Sequence, residues 1–336
     1  MRRFASATSF PFATALLTAL CLIFLTACTS LQVHLGMKVY LDRTPVTSIQ
    51  ASLPKGPGIA PGQKSPLMVT FSEPTGKVLT TEGAGQGKVM WSDLQVSATV
   101  VTVNKKGVIS LARDPRASDG KIPHVTITVP SHPDLRADLD IPIRYDEKYV
   151  ANFSGSRGSD GMNGTDGIDG TSGMPGSTDP NNPSAGGNGG DGTDGSNGQD
   201  GSNGGDAPAV QVRMTLHSGA HSLLQVSVSA QGHQKFYLID PQGGSLTVKA
   251  DGGEGGSGGR GGRGGRGGSG GIGSPNGSDG RSGSDGRNGW DGSHGSGGLI
   301  TVTYDPQAKP YLNALHISSQ YGPTPVFREE TVAALW

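Results

Sequence analysis

The stretch Gly252-Gly253-Glu254-Gly255-Gly256-Ser257-Gly258-Gly259-Arg260 repeats two glycines and one residue with a side chain, and it keeps this phase to Gly273. We call residues 252–273 tract 3. Three more tracts place glycine at every third position: tract 1 (155–176), tract 2 (186–206) and tract 4 (277–298). A glycine repeat of this period leaves one side of an extended backbone bare, so a second backbone can approach and pair with it.

A three-residue period predicts left-handed extended helices with three residues per turn, whose N–H and C=O groups point outward. Such helices either wind as a collagen-like trimer or lie side by side within one chain. Proline is sparse in the tracts, tract 3 is bare on two faces, and the links 177–185 and 274–276 are short. We therefore expect an antiparallel polyglycine-II bundle of Gly-X-Y and Gly-Gly-X helices, with tract 3 the most enclosed.

The outer ends of the tracts adjoin sequence typical of β-strands. These segments are 141–153, 209–216, 246–250 and 299–304, and 223–228 and 235–239 predict further strands. If the tracts alternate in direction, all four flanking segments lie at one end. We expect them to form a small β-sheet that caps the bundle.

Residues 46–147 alternate between β-branched runs and turn residues, with no amphipathic helix of useful length. Several short strands in about 100 residues predict an antiparallel sandwich. The stretch from Val100 to Ser110 is similar to a hairpin of bacterial immunoglobulin-like domains. The expected class is therefore all-β plus polyglycine-II, with an immunoglobulin-like β-sandwich before the bundle.

The N-terminus has the features of an export signal. Arg2 and Arg3 precede a mostly apolar run that ends Leu25-Thr26-Ala27-Cys28. This ending resembles the lipobox of bacterial lipoproteins, which implies cleavage before Cys28, acylation of that cysteine and anchoring in a membrane. Thr29 stands where an inner-membrane retention signal would have Asp, so the resemblance implies the outer membrane in a cell with two membranes. A plain secretory leader and an uncleaved spanning helix are the alternatives.

The glycine tracts resemble the polyglycine-II bundles of snow-flea antifreeze protein and of phage tail-fibre adhesins. Those adhesins display loops at the bundle end, and the link 177–185 holds the corresponding position here. The resemblance implies a partner-binding tip loop at Asp179, Asn181 and Asn182, with ordinary turn chemistry as the alternative. Arg260, Arg263 and Arg266 share one face of tract 3, and pairing with the aspartates of tracts 1 and 2 would select neighbouring tracts.

These signals divide the chain into five parts. They are a signal peptide at 1–27, an anchor and tether at 28–45, the sandwich at 46–147, the bundle with its cap at 148–305, and a C-terminal segment at 306–336.

Composition narrows the possible functions. The formal net charge is −1, and the arginine-glycine segment of tract 3 lacks interleaved aromatic residues, so we expect no nucleic-acid partner. The two cysteines fall in or at the end of the leader, and the eight histidines are scattered. We expect no enzyme activity, no cofactor and no metal site. A calcium-binding repeat is an alternative, because 189–197 partly matches a known calcium nonapeptide.

The sequence thus predicts a non-enzymatic, lipid-anchored protein of the bacterial cell envelope with a structural, surface-display or adhesive role. Its expected contacts are the membrane through Cys28 and a protein or glycan at the surface, and the chain is expected to be a monomer. A collagen-like surface trimer and the calcium-binding repeat protein remain as alternatives.

Overall fold

The computed structural model describes residues 35–217, 219 and 222–336. The lipobox with Cys28, the signal peptide and the first part of the tether lie outside these residues. The chain divides into two compact units, Met1–Tyr145 and Asp146–Trp336, which we describe separately.

The first unit consists of short antiparallel strands. They are β1 (Ser48–Ser52), β2 (Lys64–Pro66), β3 (Met68–Ser72), β4 (Val78–Thr80), β5 (Gln95–Thr99), β6 (Val101–Val103), β7 (Val108–Leu111), β8 (His124–Val129) and β9 (His132–Asp140). Four single 3-10 turns connect them, at Leu41–Arg43, Gly83–Gly85, Trp91–Asp93 and Pro115–Ala117.

These strands form three sheets of three strands each, in the orders β1-β3-β4, β2-β7-β6 and β5-β8-β9. Alternate residues of β3, β7 and β8 are buried, which is the period-two pattern of strands with one face on a core. Phe71, Ile109 and Ile127 are fully buried in that core, and the Trp91 ring packs against it.

The second unit holds the glycine tracts and eight strands. The strands are β10 (Lys148–Asn152), β11 (Val210–Leu216), β12 (Leu224–Ala230), β13 (His233–Ile239), β14 (Ser245–Lys249), β15 (Ile300–Tyr304), β16 (Leu315–Ser318) and β17 (Val326–Glu329). A 3-10 segment, Pro306–Ala314, joins β15 to β16.

Two sheets build the core of this unit. One has the order β13-β12-β11-β15-β17 and the other β10-β14-β16. Strands β10 and β14, which lead into tracts 1 and 3, pair in parallel, and so do β11 and β15, which follow tracts 2 and 4. The hydrophobic core includes Met214, Val226, Leu246 and Val302, all almost fully buried.

The four tracts are held together by backbone hydrogen bonds between tracts. Glycines of tract 1 donate to tract 3 at every third residue; the Gly164 N–H, for example, donates to the Arg260 carbonyl at 2.7 Å. Glycines of tract 2 donate to tract 4 in the same way, as from Gly195 to Ser284 at 2.9 Å. Tracts 2 and 3 each bond to all three other tracts, whereas tracts 1 and 4 bond only to tracts 2 and 3 among the described residues. We call this assembly the glycine array.

Tract 3 has the most buried backbone of the four. The second glycine of each of its triplets, including Gly256, Gly259 and Gly262, is buried, while the repeat glycines of tract 1 are half-buried. This is the order of burial that the two bare faces of tract 3 predict. A Cβ on Gly262 would overlap the Thr165 carbonyl, so tract 3 cannot carry a side chain at these positions.

The predicted fold class is wrong. The structure is mostly β-sheet, with 31% strand and 7% helix, and the described residues contain neither a helical bundle nor a collagen-like helix. The tracts are extended segments without regular secondary structure, and their N–H groups bond to neighbouring tracts at every third residue. The period of three sets the spacing of these bonds and does not by itself specify a helical winding. The predicted polyglycine-II bundle and the collagen-like trimer are therefore both replaced by this laterally bonded array.

Two finer parts of that prediction are also corrected. The expected immunoglobulin-like sandwich is replaced by three three-stranded sheets around one core, because the strands pair in three groups and not in two sheets. The expected single cap is replaced by two sheets, because the strands flanking tracts 1 and 3 pair with each other and those flanking tracts 2 and 4 do the same.

The close approach of the tracts generates a first prediction. Gly262→Ala places a methyl group on the Thr165 carbonyl, so tracts 1 and 3 must separate and lose neighbouring hydrogen bonds. We expect the second unit to lose about 3 kcal/mol or more of unfolding free energy. Thermal unfolding of the full chain measures the loss. Arg263→Ala, on the exposed row of the same tract, is the matched control, and equal melting temperatures for the two variants would contradict the packing described.

Candidate binding surfaces of the glycine array

The third residue of most triplets in tracts 1, 2 and 4 is Asp or Asn, and its side chain has a specific structural task. In tract 1, the Oδ1 of Asp166 accepts the Arg263 N–H at 2.8 Å, and the Oδ1 of Asp169 accepts the Arg266 N–H at 2.7 Å. These side chains supply an acceptor for backbone N–H groups of tract 3 that have no carbonyl partner among the described residues. We call the repeated set of such bonds the Asx ladder.

The ladder recurs at two more boundaries between tracts. From tract 2 to tract 4 it has seven members, among them Asp200, whose Oδ1 accepts the Trp290 N–H at 2.7 Å. From tract 4 to tract 3 it includes Asp285, which accepts the Gly264 N–H at 2.7 Å. Serine and threonine hydroxyls serve the same purpose between tracts 2 and 1, as when Thr193 accepts the Ile168 N–H at 2.7 Å.

The ladder changes the interpretation of the charges. Sequence reasoning expected aspartates to pair with the guanidinium groups of Arg260, Arg263 and Arg266, but the aspartates of tract 1 bond to the backbone N–H groups of these arginines or their neighbours. Within the described residues of the tracts, an ion pair joins Arg157 to Asp160 of the same tract, at 3.1 Å. The missed signal was the mixing of Asn with Asp at one triplet position, which indicates an acceptor oxygen rather than a charge.

The predicted tip loop lies at the end of the array where tracts 1 and 2 meet. The Asp179 carboxylate accepts the Asn181 N–H at 2.9 Å, and the Asp179 carbonyl accepts the Asn182 N–H at 3.1 Å. Asp179 therefore holds the turn. All three side chains are exposed, and Asn181 and Asn182 project from a turn that is fixed by Asp179.

Five large apolar side chains are exposed on the tracts, a feature that sequence reasoning missed. Met162, Ile168 and Met174 lie on tract 1 with exposed fractions of 66%, 75% and 82%. Ile272 is 69% exposed near the tip, and Trp290 is 81% exposed on tract 4. The Trp290 backbone is fixed by Asp200 and by the Gly201 N–H, which donates to the Trp290 carbonyl at 2.9 Å. These five side chains could have been found in the sequence, because each is an apolar residue at a triplet position that is otherwise polar or charged.

The first unit has a charged cluster on one sheet face. The His124 ring contacts Asp140 at 2.7 Å and Asp138 at 3.1 Å, and Arg136 donates two hydrogen bonds to Asp138. The hydrogen bonds to Asp140 and Asp138 raise the pKa of His124 above its ordinary value. Arg136 and Thr126 hold the pKa of Asp138 well below its usual range. The cluster joins β8 to β9 across their exposed faces.

A cleft of about 270 Å³ opens in the same unit. It is lined by Tyr40, Asp42, Ser92, Asp93, Pro130 and Ser131. Burial raises the pKa of Asp93, against the effect of the Leu41 N–H that points to this carboxylate. The cleft offers a phenol, two carboxylates and two hydroxyls, but no residue in it was predicted from the sequence.

The alternative of a calcium-binding repeat rested on residues 189–197, in tract 2. The carboxylates of Asp191 and Asp194 accept the backbone N–H groups of Arg281 and Ser284, each at 2.6 Å. Over residues 35–217, 219 and 222–336, no group of three or more His, Cys, Asp or Glu side chains is placed to hold a metal ion. Over the same residues, no helix is long and apolar enough to cross a membrane.

The Asx ladder generates a prediction at Asp200. Asp200→Asn keeps the Oδ1 that accepts the Trp290 N–H, so we expect a melting temperature close to that of the unchanged chain. Asp200→Ala removes the acceptor and should cost about 0.5–1.5 kcal/mol, with faster amide exchange at Trp290. Calorimetry and hydrogen exchange measure the two effects. Equal losses in both variants would mean that the charge of Asp200, and not its acceptor oxygen, is what matters.

No known protein family has a model that matches this chain, and no curated protein matches it. A proposal for its function therefore depends on the chain's own residues.

Proposed function

We propose that this chain is a non-enzymatic protein of the bacterial cell envelope, anchored by lipid at Cys28, with a structural or surface-display role and an adhesive one as the second candidate. The anchoring rests on the leader and the Leu25-Thr26-Ala27-Cys28 motif. The outer membrane is the proposed location, because Thr29 replaces the aspartate expected for retention at the inner membrane.

The observation that carries the structural role is the lateral bonding of the glycine array. Each tract of about 20 residues is fixed to its neighbours at every third residue, so it forms a stiff extended element without a large hydrophobic core. Extended backbone rises about 3.1–3.4 Å per residue, so a tract of 22 residues spans roughly 70 Å. Polar residues occupy most exposed positions of the tracts, which suits an element that stands in water.

The adhesive role is favoured by what the array exposes. The tip loop holds Asn181 and Asn182 away from the tracts on a turn made by Asp179. Amide side chains on a fixed turn suit hydrogen bonding to hydroxyl-rich ligands such as glycans.

The lipid anchor is tested by labelling cells with palmitate. We expect Cys28→Ala to remove the label and to release the protein from the membrane fraction, because the acylated sulfur is lost. Cys21→Ala, inside the leader, is the matched control and should leave labelling unchanged. Label that persists in Cys28→Ala would refute acylation at this residue.

The adhesive role is tested with cells that display the protein over immobilised polysaccharides. We expect the double variant Asn181→Ala, Asn182→Ala to lose binding while its surface level stays the same, since Asp179 still makes the turn. Gln234→Ala with Gln242→Ala, two exposed amides outside the loop and the ladder, is the control for a change of two amides. Unchanged binding in the loop variant would rule out the tip, and no binding by the unaltered protein would leave the structural role.

A further inference from the structure

One face of the glycine array has no charged side chain. It consists of the residues that follow each glycine in tract 1, from Ser156 to Met174 at intervals of three, together with those in tract 2 from Gly187 to Gly205. We call it the uncharged face. The two rows lie side by side, because backbone hydrogen bonds join them in register and hydroxyls pair across them, as between Thr165 and Ser196 at 3.0 Å.

The absence of charge sets this face apart. The third-residue rows of tracts 1, 2 and 4 carry Asp, the exposed row of tract 3 carries Glu254 and three arginines, and the corresponding row of tract 4 carries Arg281 and Arg287. The uncharged face instead exposes Met162, Ile168 and Met174. This face therefore combines the absence of charge with three of the five large apolar side chains exposed on the tracts, which favours a contact surface over a solvated one.

The order of residues on this face identifies the partner. In tract 1 the row is symmetric about Ile168 and reads Met162, Thr165, Ile168, Thr171, Met174. Ser159 and Ser177 continue the symmetry by one triplet on either side. Under a two-fold rotation about Ile168, each residue of this row faces a residue of the same type, so apolar side chains meet apolar side chains and hydroxyls meet hydroxyls, which suits a dimer of identical chains.

The neighbouring row fits the same rotation. Thr193 of tract 2 bonds to Ile168 and therefore lies beside it. A two-fold axis that crosses the tracts in the plane of the face at Ile168 also passes by Thr193. The rotation places Gln199, the largest residue of the row, over Gly187 of the other copy, and Ser196 over Gly190. In the tract 2 row the longer side chains thereby face glycines, so this row adds no clash to the contact made by the apolar residues of tract 1.

The area is sufficient for a specific but reversible contact. From Ser159 to Ser177 the face is about 58 Å long at the rise of extended backbone, and two adjacent extended segments are about 10 Å wide. Each copy therefore buries about 600 Å², or about 1,200 Å² in total, which is at the lower end of specific interfaces.

We propose that the uncharged face binds the same face of a second copy of this chain, with tract 1 antiparallel to tract 1 and the two-fold axis at Ile168. The contact places the two Ile168 side chains against each other and each Met162 against Met174 of the other copy. This dimer departs from the monomer expected from the sequence, and it does not depend on the lipid anchor or on the tip loop.

Sedimentation of the full chain in detergent, over a dilution series, tests the dimer. We expect Ile168→Asp to raise the dimer dissociation constant at least about tenfold, because two buried carboxylates would face each other at the axis. Ile272→Asp adds the same charge at an isoleucine of similar exposure outside the face, and it should leave the constant unchanged. A monomer at all concentrations, or an equal effect of both variants, would overturn the proposal.

Cross-linking tests the register independently of stability. With a bismaleimide that spans about 10 Å, the spacing of packed extended layers, Ile168→Cys should link to itself. Met162→Cys and Met174→Cys should link only when the two variants are mixed, since two copies of either cysteine are about 39 Å apart across the axis. The unaltered chain controls for Cys28. Links within either single variant, or none in the mixture, would contradict the two-fold axis at Ile168.

Discussion

The second unit depends on one constraint, that backbones approach each other closely enough for N–H···O=C bonds at every third residue. Any Cβ at these positions would overlap a neighbouring carbonyl, so glycine is required by contact and not by backbone flexibility. The bonds are 2.7–2.9 Å long and regular along each tract. Since each contributes only about 0.5–1.5 kcal/mol net, the array depends on their number and on the two sheets that hold the tract ends.

The sequence predicted the tracts, their ends and the enclosure of tract 3, because the period of three and the doubled glycines determine which sides are bare. It did not predict the fold class. Periodicity shows that a backbone is extended, bare on one side and in need of lateral partners, but it does not show whether the segments take a regular helical form. The pairing of the strands could not be predicted from periodicity either. Strand β10 pairs with β14, almost 100 residues away, because tracts 1 and 3 run in parallel.

The exposed features were harder to predict than the buried ones. The aspartates at the third triplet position were expected to pair with the arginines of tract 3, whereas in the structure Asp and Asn at this position accept backbone N–H groups along three boundaries between tracts. The His124 cluster depends on cross-strand neighbours, and the pairing of β8 with β9 that brings Asp138 and Asp140 to it cannot be found from one strand alone. The tip loop lies where tracts 1 and 2 meet, but whether it binds anything depends on its exposed amides and not on its position.

The Asx ladder also restricts how such a chain can change in length. Its partners are separated by a constant 97 residues between tracts 1 and 3 and by 90 between tracts 2 and 4. An insertion of one or two residues inside a tract would move every later Asp or Asn away from its N–H donor. Growth is therefore possible only in whole triplets added to all four tracts at once, while the links at the tip can vary by single residues. The length of the array can therefore change only in steps of three residues per tract.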